Sequence, residues 1–79
     1  MITDETISNL HDLADEAKSC DSTIQCDIIR TAAHFIEHEG DDKGVAIAML
    51  ILHEMSDILM GDTDHIFNAV TMIAAAQRT

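Results

Sequence analysis

Histidine and cysteine are the residue types here that could do chemistry, and their spacing decides which chemistry. His34 and His38 stand four residues apart, one helical turn, the separation at which two imidazoles can share a metal ion. Glu37 lies beside them in the chain. On the solvent side of a helix such a site has two or three ligands and nothing to orient them, so the expected state is a pair of exposed, metal-free histidines. Glu37-His38-Glu39 also lacks the Glu-x-x-His pairs on separate helices that a carboxylate-bridged di-iron bundle needs. Asp62-x-x-His65 has similar local spacing, but Asp62 is better placed as a helix cap.

His53 and Asp57 form a second pair four apart, within an otherwise apolar run. A carboxylate beside a partly buried imidazole raises its pKa, which makes this polar strip a candidate pH-sensitive contact or a fixing point in an oligomer. Catalysis would further need a nucleophile, an oxyanion site or a cofactor pocket. Ser56 sits in a helix interior with no turn to present it, and no cofactor motif occurs, so the expectation is a protein that is not an enzyme and carries no cofactor. Cys20 and Cys26 fit neither a Cys-x-x-Cys redox motif nor a four-ligand zinc site, and reduced thiols at a helix junction are expected. Asp41-Asp42 and Asp62-x-Asp64 do not follow a calcium-loop pattern, whereas capping explains both.

The elements that must position these groups are helices, and their limits can be read from glycine placement and capping residues. Expected helices span about 4–19, 23–39, 43–60 and 63–77, an all-α bundle of four short helices joined as hairpins in one domain. Thr3 can cap the first, with Ile2 and Ile7 as a hydrophobic staple. Ser22-Thr-Ile-Gln25 reads as a capping box for the second, whose apolar arc is Ile24, Ile28, Ile29, Ala32, Phe35 and Ile36. Gly40 and Gly61 mark helix ends, and Asp41 or Asp42 and Asp62 or Thr63 the starts that follow. Gly44 either weakens the first turn of helix three or admits a neighbouring backbone. Helix four should present Ile66, Phe67, Val70, Ile73 and Ala74 on one side.

Helix three, from Val45 to Met60, dominates the architecture. Its apolar residues cover roughly 220° of the circumference and leave a narrow strip of His53, Glu54 and Asp57. A 79-residue chain has little with which to cover it. The surplus predicts an oligomer, most simply a homodimer, with Ile47, Ile51, Met55, Ile58 and Leu59 at the interface. Methionines at 49, 55, 60 and 72 suit either core filling or a groove that accepts a helix.

Charge limits the partners. Fifteen Asp and Glu oppose four Lys and Arg, for a net charge of −11. Such a surface repels phosphate and anionic lipid, so neither direct nucleic-acid binding nor membrane attachment is expected. The run of helix three is too short to span a bilayer, and the N-terminus opens on acids, which predicts a soluble cytoplasmic protein. In general character the chain resembles the small acidic helical accessory proteins of bacteria and their phages, and no motif carries a function across. The expected function is therefore a non-enzymatic interaction module, of adaptor or inhibitor type, that binds itself and another protein, with a basic partner favoured by charge. Two alternatives stand beside it: a metal- or pH-responsive protein using His34 and His38 or His53 and Asp57, and an acidic mimic of nucleic acid that blocks a DNA- or RNA-binding protein.

Overall fold

A computed structural model describes residues 1–78. It is an all-α bundle of four helices: α1 (Asp4–Ser19), α2 (Thr23–Glu39), α3 (Lys43–Leu59) and α4 (Asp64–Gln77). Thr3 caps α1 as expected, its hydroxyl accepting from the Thr6 amide at 3.2 Å. Asp4 and Glu5 then place negative charge at the positive end of the helix dipole. The turn after α1 is a Schellman motif: Asp21 is left-handed (φ 61°), its amide bonds to Lys18 O, and the Ser22 amide reaches Ala17 O at 2.8 Å. Ser22 then starts α2 without a side-chain cap, so the predicted capping box does not form.

Glycine ends α2 as predicted but in a stricter geometry. Gly40 has φ 89° and ψ 179°, a region open essentially to glycine alone, instead of the left-handed helical one. The end of α3 differs more. Met60 itself takes the left-handed position (φ 47°, ψ 63°), so the helix stops at Leu59, and Gly61 (φ 106°) only continues the turn. Four residues therefore join α3 to α4, where the sequence pattern predicted two or three.

α2 is the hub of the bundle. It packs most extensively on α3 and α1, which flank it without packing on each other, while α4 closes over all three. Leu10, Ile29, Leu52, Ile66 and Ile73 are the large side chains fully buried at the centre. Gly44 sets the approach of α3 to α2: a Cβ there would lie 2.5 Å from the Phe35 carbonyl oxygen and 2.8 Å from Ile36 Cα. Of the two roles open to this glycine, close backbone approach is the one observed. Among the described residues no helix is long and apolar enough to cross a membrane.

Two apolar arcs are rotated from their predicted centres. α2 buries Ile28, Ile29, Ala32 and Ile36 of its predicted arc, adds Gln25, Cys26 and Ala33, and leaves Phe35 half-buried and Ile24 59% exposed. α4 buries Ile66, Ala69 and Ile73 and leaves Phe67 68% exposed. In both, the exposed residue stands at the edge of a wide apolar arc that the neighbouring helices do not cover.

Candidate functional site

α3 buries only Gly44, Val45, Ala48 and Leu52. With side chains advancing about 100° per residue, these centre its contact with α2 and the core. Ile47, Ile51 and Ile58 fall on the adjoining outer flank, at i, i+4 and i+11; Ile58 is 67% exposed and the other two are half-buried. On α2, α1 occupies the side marked by the Arg30–Asp15 and Glu37–His11 pairs, and α3 meets the Phe35–Ile36 backbone. Ile24 and Phe35 consequently lie on the edge of α2 nearest α3 and away from the core. By this rotation Ile24 and Phe35 of α2 and Ile47, Ile51 and Ile58 of α3 fall on the same outward side of the α2–α3 hairpin, a surface we term the outer groove.

Of the residues predicted for an interface, Ile47, Ile51 and Ile58 line this groove. Met55 borders it while also packing on the core. Leu59 is half-buried and packs on the core, where rotation places it with Ala48 and Leu52, and Ile51 likewise packs partly on the core. His53 and Asp57 both lie exposed on the far side of α3. Among the described residues no hydrogen bond or ion pair joins them, so the predicted burial and pairing of this strip are absent from the single chain. The hydrophobic run of α3 is broad, but its polar strip faces water directly.

His34 and His38 are exposed on the same side of α2, with ring centroids 4.1 Å apart and planes tilted by 44°. His34 also meets the edge of Phe35, centroids 6.1 Å apart, at the rim of the groove. Glu37 is not available to this pair, because it turns to α1 and contacts His11 Nε2 at 3.3 Å. No cluster of three or more potential metal-ligating side chains occurs among the described residues. Cys20 is exposed and Cys26 buried, and both are free.

The most organised polar cluster is one that local sequence patterns do not show. Gln25, 1% exposed, reaches from α2 to the start of α4. Its Oε1 accepts from the amides of His65 at 2.9 Å and Ile66 at 3.1 Å, the two donors that an N-cap side chain normally satisfies. Its Nε2 donates to Asp62 at 3.2 Å and Asp64 at 3.1 Å. These four bonds fix the amide orientation. They also explain why neither Asp62 nor Thr63 caps α4 with its own side chain: Asp62 accepts from Gln25, and Thr63 makes no cap bond. The Gln25 hydrogen bond is the main reason that the Asp64 carboxyl titrates below its ordinary range, assisted by the charge of His65 and by backbone amides and opposed by desolvation. His65 is buried, with Nε2 3.6 Å from Asp64. The cluster joins α2 to α4.

A separate open cleft of about 480 Å³ lies between the start of α1 and the end of α2. Ile2, Ile7 and Ile36 line it together with Asp4, Glu37 and Asp41. No family model, curated protein or solved structure matches this chain. The chemistry of its surfaces is therefore the ground for any functional reading.

Proposed function

We propose that the protein is a non-enzymatic interaction module that self-associates, as a homodimer, through the outer groove of α2 and α3. The observation that carries this reading is the uncovered stripe of α3: Ile58 stays 67% exposed, beside the half-buried Ile47 and Ile51, after the chain has folded. Ile24, 59% exposed, extends the apolar surface onto α2. A groove open along one side suits an isologous contact, in which each copy lays its own flank over that of the other. Ile58→Asp is the informative variant, because the substitution leaves the core intact and changes only the outward surface. Sedimentation of wild type and variant tests the reading.

A second reading concerns a further partner. The cleft at the end of the bundle combines an isoleucine floor with carboxylates from Asp4, Glu37 and Asp41, which suits the aliphatic stem and cationic head of a lysine or arginine on a basic protein. The net charge of −11 favours such a partner at long range. Binding through it should weaken steeply with salt, and Asp4→Asn with Asp41→Asn should weaken it without changing self-association.

A further inference from the structure

We infer that His34 and His38 form one half of a zinc site that a second copy of the chain completes. The two rings already stand side by side one turn apart on the solvent side of α2, 4.1 Å between centroids. Neither makes a hydrogen bond or ion pair among the described residues, so no existing contact must be broken for both to coordinate. The neighbouring carboxylate is engaged elsewhere, with Glu37 held against His11 of α1. Among the described residues one chain thus offers zinc two nitrogen ligands here and no third.

Zinc takes four ligands in a closed site, and imidazole nitrogen is among those that it prefers. Two copies related by a two-fold axis would present the same pair twice, giving four nitrogens around one ion. The position of the pair favours this arrangement, because His34 lies against Phe35 at the rim of the outer groove. A two-fold axis that crosses α2 at the level of His34 and His38 would bring the two histidine pairs to one ion at the margin of such a contact. The ion also acts on the charge problem of such a contact, since each copy carries −11 and two acidic surfaces repel at close range. A divalent cation between them reduces that repulsion.

This inference rests on the proposed self-association only in requiring that a second copy can approach α2. The two are separated by running each measurement with and without metal. Wild type and the double variant His34→Ala with His38→Ala are titrated with zinc chloride by calorimetry, and their masses followed by sedimentation. Both histidines are exposed, so the double variant should keep its circular dichroism spectrum and its metal-free mass. Wild type should bind about one zinc per two chains, with the dimer becoming at least tenfold tighter, and the double variant should lose both effects. Binding of one zinc per chain without a change in association would overturn the inference. So would equal tightening in the double variant, or no binding by wild type. Dimerisation in chelator, present or absent, reports on the groove alone.

Discussion

Removing the Gln25 amide should destabilise the bundle more than any single surface change, and its four hydrogen bonds allow the loss to be estimated. In Gln25→Ala the amides of His65 and Ile66 lose their acceptor. Loss of a capping side chain costs about 1 kcal/mol. That figure covers one amide; leaving the second buried amide without a partner adds about 1–3 kcal/mol, so the total is about 3 kcal/mol. A chain of this size has roughly 4–12 kcal/mol of stability in all, and the thermal midpoint should fall by more than about 10 °C. Urea or thermal unfolding measures the loss. The isosteric Gln25→Glu separates capping from packing: it keeps the acceptor and the volume but sets a third carboxylate against Asp62 and Asp64. That introduced group has its folded pKa raised, so its favourable, protonated state is lost as pH rises, and the penalty should be larger at about pH 7 than at about pH 4.5. Asp64 runs the other way. Its folded pKa is lowered, so its contribution is present above the unfolded value near 3.9 and is lost as pH falls through the folded one. An NMR titration should show the Asp64 pKa rising in Gln25→Ala. A midpoint within a degree or two of wild type, with the Asp64 titration unmoved, would refute this account of the α2–α4 junction.

Gly44→Ala should be destabilising by about 2–3 kcal/mol, because the added Cβ meets backbone atoms of Phe35 and Ile36 that cannot rotate away; wild-type urea stability would contradict the close-approach role. Met60→Gly should stabilise by about 1 kcal/mol in thermal unfolding, since Met60 is 86% exposed, holds a left-handed backbone and gives up little packing; a lower midpoint would show that its side chain matters.

The four helices were legible because their punctuation is local. Positive-φ glycines at 40 and 61, the Thr3 cap and the absence of proline act within a few residues of each helix end, and the observed limits differ from the expected ones by a residue at most. Long-range choices were not legible. Ser22-Thr-Ile-Gln25 has the spacing of a capping box, yet Gln25 serves a helix that starts about forty positions later. Only the tertiary fold brings the start of α4 beside the start of α2. The same holds for His11 and Glu37, 26 positions apart, whose contact takes Glu37 from the histidines next to it. Periodicity gave the width of each apolar arc but not the side from which neighbours approach, which is why Ile24 and Phe67 were placed in the core and lie outside it. For α3 the excess of apolar surface was legible, and the fold shows which part of it remains uncovered.

Sedimentation of wild type beside Ile58→Asp, in chelator at micromolar concentration, tests the central claim most directly. Burying the exposed two-thirds of Ile58 in each of two copies stabilises the contact by about 2–4 kcal/mol, which corresponds to roughly 30- to 1000-fold in the dimer dissociation constant. Wild type should sediment at twice the chain mass, and Ile58→Asp as a folded monomer with an unchanged helical spectrum. A wild type that remains monomeric at these concentrations, or a variant that dimerises as tightly as wild type, would contradict self-association through the outer groove.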